Sequence, residues 1–218
     1  MSFRYFVEHM EEDDNTPKAL PDWVELEYKH MRMLAGPGSE VHFTHLSQRC
    51  GRALLKSFSE SSAGASADDI ADVFCTTQGV VDLTKAIGVP LDQVCLLDPK
   101  AERELSPDDT YTNFLFGGIL GDDPPRDRTS ELRALGFPSR HLGPIQMTTD
   151  TALGVTKFVI EDKVPLSKIP YKDHPTIVFN PKESVEMPFR YIADGDEPRL
   201  PPGMRELLRE DLNKSFDF

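Results

Sequence analysis

Two continuous apolar runs constrain the fold of this chain most strongly. Val94–Leu97 is followed by Asp-Pro, and Asn113–Gly118 ends in paired glycines. Neither run alternates apolar with polar residues, as a strand with one face in water does. Runs of this kind are typical of strands buried on both faces, which occur in parallel sheets covered by helices. The two runs therefore predict an α/β fold with a largely parallel sheet.

The rest of the chain supplies further strands and helices in alternation, which favours the same fold class. Strands are predicted by apolar or alternating segments at 3–9, 41–46, 139–143 and 176–180. Helices are predicted by spacing and capping signals from Asp22, over 81–88, from Thr149 and over 204–214. The Ser/Ala/Gly-rich segment 57–69 predicts a surface loop.

The charge of the chain restricts its partners. The 218 residues, enough for one generous domain, carry a net charge of −13, and their lysines and arginines are scattered among acids. Proteins that hold nucleic acid normally show basic clusters, so RNA and DNA are disfavoured as stable partners. An acidic surface favours a basic partner, although it also serves plain solubility.

Cysteine usage and hydropathy indicate the compartment. The three cysteines are odd in number and form no CxxC pair, which argues against a disulfide framework or a zinc site. The histidines show no ligand-like spacing, so no metal is expected. No apolar stretch approaches the roughly 18 residues of a membrane span, and no secretory signal is visible. These features predict a cytoplasmic protein without membrane association.

Three loops follow predicted strands and should meet at one edge of the sheet. They are 96–101, 116–127 and 142–152. In open α/β sheets, ligands bind beyond the carboxyl ends of the strands. These loops therefore predict the position of the functional site.

The second loop contains Gly117, Gly118 and Gly121. Glycine serves where the backbone approaches a ligand closely or adopts positive φ. The GGxxG spacing is neither the GxGxxG of dinucleotide-binding loops nor a P-loop, so a small cofactor lying against the main chain fits better than phosphate. A tight turn explains the glycines equally well.

The third loop and a set of acids complete the candidate site. Residues 146–151 (QMTTDT) place threonines at a helix start, where they serve as caps or contact a cofactor. Acids follow three predicted strands, namely Glu8, Asp98, Asp122 and Asp127. Carboxylates at one edge can hold a cation, and the alternative for each is solvated surface.

Five separated motifs resemble the SPOUT-class (α/β-knot) protein arginine methyltransferases of fungi. In chain order these motifs are YFVEHMEE, VCLLDP, FGGILGDDPPRDRT, LGPIQMTTDTA and EMPFRY. The resemblance extends from about Phe3 to Glu210. Asp122 and Asp127 match the motif, whereas Asp123 stands where the family has histidine.

The resemblance implies an α/β-knot fold with a deep trefoil knot in the C-terminal half. Residues 1–165 would form the methyltransferase domain and 166–218 an extension packed on it. S-adenosylmethionine would be the cofactor. The residues implied to bind it come from all three loops: Leu96, Leu97, Phe116, Gly117, Gly118, Leu120, Gly121, Leu142, Gly143, Met147, Thr148 and Thr151.

The resemblance also implies that a monomer methylates one arginine of a small-subunit ribosomal protein. The guanidinium arrives charged, so carboxylates must offset its repulsion from the sulfonium and accept the proton that it loses. Asp122 is expected to align the guanidinium, with Glu8 or Asp127 assisting. The alternatives are an RNA methyltransferase of the same fold, a non-catalytic interaction protein and a nucleotide-binding α/β protein.

Overall fold

A six-stranded sheet in which all neighbouring strands are parallel forms the centre of the protein. The computed structural model describes residues 2–10, 20–61, 69–118, 127 and 129–214. The strands are β1 (Arg4–His9), β2 (Glu40–Thr44), β3 (Asp72–Cys75), β4 (Val94–Leu97), β5 (Asn113–Gly118) and β6 (Ser139–Arg140). Their spatial order is β3-β2-β1-β5-β4-β6. The predicted α/β class with a largely parallel sheet is confirmed.

Helices cover both faces of this sheet. They are α1 (Asp22–Ala35), α2 (Gln48–Ser61), α3 (Val80–Ala86), α4 (Thr129–Arg133) and α5 (Thr149–Ile160). Tyr5 and Val7 of β1 point into the core shared with α1, α2 and α5, whereas Phe6 packs with Val80 of α3 and Leu132 of α4. This alternation follows from the two-residue period of a strand, and it explains why the central strands are apolar throughout.

The region between β2 and β4 departs from the sequence prediction. Residues 57–61 belong to α2 and are not part of a loop. Cys50, Leu54 and Phe58 recur every four residues and bury one stripe of α2, which stabilises a helix despite its serines. The edge strand β3 was not predicted, because its four residues alternate between exposed and half-buried.

The C-terminal region adds small antiparallel sheets and a last helix. The strands are β7 (Tyr171–Asp173), β8 (Thr176–Asn180), β9 (Glu183–Glu186), β10 (Arg190–Asp194) and β11 (Glu197–Pro198), followed by α6 (Met204–Lys214). The prediction of a strand at 176–180 is correct, but β8 pairs with β9 outside the central sheet. The main-chain N–H of Arg190 donates to the carbonyl of Gln146 at 2.9 Å, so β10 contacts the third predicted loop.

The trefoil knot stays a prediction. Residues 119–126, which follow β5, lie outside the described part of the chain.

Within the described part, no helix is both long enough and apolar enough to cross a bilayer.

Candidate functional site

A cavity of 390 Å³ opens at the carboxyl ends of β4 and β5. Its volume lies within the range of about 300–1,000 Å³ that is typical of small-molecule sites. The lining residues come from the ends of β4 and β5, the loops after β4 and β6, and the beginnings of α4 and α5. They are Leu97, Asp98, Pro99, Lys100, Phe116, Gly117, Asp127, Thr129, Leu142, Gly143, Pro144, Ile145, Gln146, Met147, Thr149 and Ala152. The described parts of the three predicted loops therefore meet at this edge, whereas residues 119–126 of the second loop lie outside the described residues.

The walls of the cavity combine apolar side chains with bare main chain. Phe116, Leu142 and Met147 contribute apolar surface next to the main core. Gly143 has φ +100°, a conformation that a residue with Cβ adopts only with strain. Glycine at this position therefore preserves the path of the loop and leaves its main chain facing the cavity.

The predicted cofactor residues divide into three groups. Six of them line the cavity: Leu97, Phe116, Gly117, Leu142, Gly143 and Met147. Four others do not line it: Leu96, Gly118, Thr148 and Thr151. The remaining two, Leu120 and Gly121, lie outside the described residues.

Gly118 is required by the protein's own packing. A Cβ at this position would lie 2.9 Å from the main-chain oxygen of Glu8 and 3.1 Å from the hydroxyl of Tyr28. Real Cβ atoms do not approach a main-chain oxygen so closely, and β1 cannot move aside without breaking the sheet. Close strand packing is therefore a structural reason for glycine at this position, and the assignment of Gly118 to the cofactor stays a prediction.

Leu96 and the threonines also have structural reasons for their positions. Leu96 is fully buried in the core under α3 and α4, because successive residues of β4 face opposite sides. Thr148 precedes the first turn of α5 and donates through its hydroxyl to the hydroxyl of Thr151 at 2.8 Å. This bond stabilises the helix start, while Thr149 and Ala152 contribute surface to the cavity.

An ion network borders the cavity. Arg133 of α4 donates to both carboxylate oxygens of Asp98, at 2.5 and 2.7 Å. The same guanidinium contacts both oxygens of Asp127 at 3.2 Å, and the ammonium of Lys100 lies 2.7 Å from Asp127. Asp98 is only 1% exposed, and the guanidinium of Arg133 compensates the cost of burying its carboxylate. The network joins the loop after β4 to α4.

Asp127 is held in its ionised form. Hydrogen bonds from Arg133, and then from Lys100, lower the pKa of its carboxyl to about 2. A carboxylate with so low a pKa is a weak proton acceptor at neutral pH. Asp127 therefore suits charge balance at the rim of the cavity better than proton transfer.

Glu8 has the opposite environment at the end of β1. One of its carboxylate oxygens, Oε2, accepts hydrogen bonds from the hydroxyl of Thr44 and from the main-chain N–H of Val80, the latter at 2.9 Å. Burial raises the pKa of the Glu8 carboxyl above its ordinary value, and these hydrogen bonds oppose the shift. A carboxylate with a raised pKa is a stronger base than an ordinary carboxylate, and carboxylates in active sites often have this property.

The sheet places Glu8 beside the cavity although Glu8 does not line it. Its register partner on β5 is Gly117, which does line the cavity. Paired residues on neighbouring parallel strands are about 4.8 Å apart. The third predicted catalytic residue, Asp122, lies outside the described residues.

Sequence reasoning found the loops but missed several residues within them. Lys100 and Ile145 line the cavity and were not predicted individually. Their position in the loops 96–101 and 142–152 was the available signal, because residue type alone does not show which side chains face inward. Among the described residues, no group of three or more His, Cys, Asp or Glu is arranged to hold a metal ion.

Comparison with known proteins gives the same family by sequence and by structure. The family model described as "Protein arginine N-methyltransferase SFM1-like" matches residues 4–215. The chain is 36% identical to protein arginine N-methyltransferase SFM1 of Saccharomyces cerevisiae over 229 residues, which covers 98% of both chains.

Solved structures agree with this match. The yeast arginine methyltransferase SFM1 complexed with SAM is 35% identical and has a TM-score of 0.79, covering 97% of this chain and 92% of that chain. The same yeast protein complexed with MTA is 33% identical, with a TM-score of 0.74 over 94% of this chain and 99% of that chain. The spTrm10–SAH complex is 12% identical, with a TM-score of 0.51 over 76% of this chain and 91% of that chain, and shows the shared SPOUT-class fold alone. The chain belongs to the SFM1-like family of protein arginine N-methyltransferases.

Proposed function

We propose that this protein is a cytoplasmic, monomeric, S-adenosylmethionine-dependent arginine N-methyltransferase that acts on a small-subunit ribosomal protein. The observation that carries the proposal is the likeness to yeast SFM1 along almost the whole chain, including the loops that border the cavity. The solved SFM1 structures are complexed with SAM, SAH and MTA, which share the adenosine part of the methyl donor.

The residues around the cavity suit S-adenosylmethionine. Leu97, Leu142 and Ile145 offer apolar surface for the adenine ring. Gly143 borders the cavity without a side chain, and its main-chain N–H donates to Nδ1 of His141 at 3.1 Å. Lys100 and Asp127 put charge at the rim and would pair with the charged amino-acid part of the donor. When bound, the donor supplies an electrophilic methyl group.

The protein must then bring a charged arginine close to a second positive charge. Repulsion between unit charges 4 Å apart is about 4 kcal/mol at an effective dielectric of 20. Carboxylates at the strand edge offset this repulsion and align one guanidinium nitrogen. Holding the reacting groups in place contributes about 7 kcal/mol or more to lowering the barrier.

Glu8 receives the proton in this proposal. The arginine nitrogen gains a methyl group and loses one proton, so the guanidinium keeps a single positive charge. Glu8 accepts that proton because its raised pKa makes it a stronger base than an ordinary carboxylate. Asp122 aligns the guanidinium from the loop after β5, and Asp127 contributes negative charge.

The charge of the chain supports a basic protein substrate. A net charge of −13 attracts the cationic proteins of the ribosome and repels RNA. A salt dependence follows, because the Debye length falls from about 10 Å at 0.1 M to about 3 Å at 1 M ionic strength. The KM for the protein substrate should therefore rise with salt.

Labelled S-adenosylmethionine and purified small ribosomal subunits test the proposal. The subunits are incubated with the enzyme, separated into protein and RNA, and the labelled protein band is hydrolysed to identify methylarginine. Label in one protein band as methylarginine is expected. Label in RNA would support the RNA methyltransferase alternative, and absence of label from both fractions would contradict the proposal.

A matched control separates enzymatic from contaminating activity. Glu8→Gln keeps the size of the side chain and an acceptor oxygen for the Val80 N–H, but it cannot take up a proton at neutral pH. The variant should bind S-adenosylmethionine in isothermal titration and fail to label the protein.

Sedimentation of the purified chain at several concentrations tests the proposed monomer. An increase in mass with concentration would contradict it.

A further inference from the structure

The hydroxyl of Thr44 lies between two oxygen acceptors at the ends of neighbouring strands. It contacts Oε2 of Glu8 closely, and it lies 3.2 Å from the main-chain oxygen of Val7. Thr44 is fully buried, so water does not compete for these contacts. A hydroxyl has one proton to donate and can also accept. It therefore donates to only one of the two oxygens at a time.

This arrangement serves both protonation states of Glu8. When Glu8 is ionised, Thr44 donates its proton to Oε2. When Glu8 is protonated on Oε1, Oε2 becomes the carbonyl oxygen of the acid and still accepts hydrogen bonds from Thr44 and from the Val80 N–H. Buried polar groups stay hydrogen-bonded in both states, and no heavy atom has to move.

The second carboxylate oxygen of Glu8 is left for a partner outside the described chain. Oε1 accepts no hydrogen bond from any residue that the structure describes, whereas Oε2 accepts two. Gly79 lies against Oε1, and a Cβ there would approach this oxygen to 3.2 Å. The carboxylate is thus fixed through one oxygen, and the other is next to a residue without a side chain.

The geometry points to Thr44 as a positioning residue for the proposed methyl transfer, holding Oε2 of Glu8 while Oε1 faces the substrate guanidinium and takes its proton. The inference rests on the proposed function and adds a residue to it. Thr44 does not touch the reacting atoms, so it acts through the orientation of Glu8 and through a hydrogen bond that lowers the pKa of the Glu8 carboxyl.

Few other titratable groups act on Glu8. The elements next to it carry Arg4 and His9 on β1, Glu40 and His42 on β2, His45 directly after β2, and Asp82 and Lys85 on α3. Of these, His45 influences the Glu8 carboxyl through its charge, and it favours ionisation. A pH profile must therefore be compared between variants that keep His45.

Thr44→Val and Thr44→Ser form a matched pair for the test. Valine keeps the branched shape and removes the hydroxyl, whereas serine keeps the hydroxyl and loses the methyl group. Removing a hydrogen bond from an ionised carboxylate raises its pKa. The acidic limb of the kcat profile should shift to higher pH by about 1 to 2 units in Thr44→Val, as expected for a hydrogen bond to a charged group.

Three readouts identify the role of Thr44. In Thr44→Val, kcat at neutral pH should fall about 10- to 100-fold. The affinity of this variant for S-adenosylmethionine, measured by titration, should be unchanged. Thr44→Ser, which keeps the hydroxyl, should show the wild-type pH profile. Equal pH profiles for the wild type and Thr44→Val would overturn the inference while leaving the proposed function intact. An inactive wild-type enzyme would overturn both.

A titration without turnover guards against a folding defect. The ¹³C shift of the Glu8 carboxyl, assigned with Glu8→Gln, reports its pKa directly in the free protein. The pKa should rise in Thr44→Val and return toward the wild-type value in Thr44→Ser. If Thr44→Val does not fold, the pKa of the Glu8 carboxyl in Thr44→Ser becomes the test. A value equal to that of the wild type supports the inference, and a value displaced by more than a unit overturns it.

Discussion

The carboxylates at the two halves of the sheet edge have opposite electrostatic environments. On the β4 side, Asp98 and Asp127 are neutralised by Arg133 and Lys100, and the pKa of Asp127 falls to about 2. On the β1 side, Glu8 is buried with neutral hydrogen-bond donors, and its pKa is raised. Acids that look alike in the sequence thus become an ion network on one side and a buried carboxylate with a raised pKa on the other.

The largest difference is expected between Glu8→Gln and Asp127→Asn. Loss of a positioned proton acceptor typically lowers the rate about 10²- to 10⁴-fold, whereas Asp127→Asn should lower kcat by no more than about 10-fold, because an ion-paired carboxylate with a pKa of about 2 does not take up protons. Steady-state kinetics at saturating S-adenosylmethionine measure both values. Equal losses in the two variants would break the comparison.

Arg133→Ala should cause the next largest effect, on stability. Its removal leaves the buried carboxylate of Asp98 without its cation, which costs about 2 to 4 kcal/mol. Lys100→Ala is the matched control, and it should cost less than about 1 kcal/mol because its ammonium is 64% exposed. Urea unfolding compares the two free energies. A similar small loss for both would show that Asp98 does not depend on Arg133.

Gly118→Ala should destabilise the protein by about 1 to 3 kcal/mol, because its methyl group would overlap the β1 main chain. Gly118 does not line the cavity, so the folded fraction should keep its affinity for S-adenosylmethionine. Thermal melting and titration calorimetry measure the two quantities. Unchanged stability together with lost binding of S-adenosylmethionine would show that Gly118 belongs to the cofactor site.

The smallest expected effect is on acid stability. The folded-state pKa of Asp127 is lowered, so its contribution to stability is present above the ordinary pKa and is lost as the pH falls from about 4 to about 2. Glu8 acts with the opposite sign, since a raised pKa makes its ionisation cost stability as the pH rises above about 4. Asp127→Asn should flatten the Tm profile below pH 4, and Glu8→Gln should flatten it above pH 4.

Much of the fold follows from local pattern. The runs at Val94–Leu97 and Asn113–Gly118 became central strands because only a doubly covered sheet buries such residues. The edge strand Asp72–Cys75 and the helix α2 were missed, because their apolar residues are few and their burial depends on neighbours distant in sequence.

The candidate site, like the fold, could be predicted from the sequence only in part. By itself, the sequence determined the parallel sheet, the three loops at its carboxyl edge and, through its motifs, the family. Only the tertiary structure decided that Gly118 serves strand packing, that Asp127 is paired with Arg133, and that Thr44 and Val80 hold Glu8. The physical reason is that charge, burial and close contact depend on which strands become neighbours, and Glu8 is separated by 36 residues from Thr44 and by 72 from Val80.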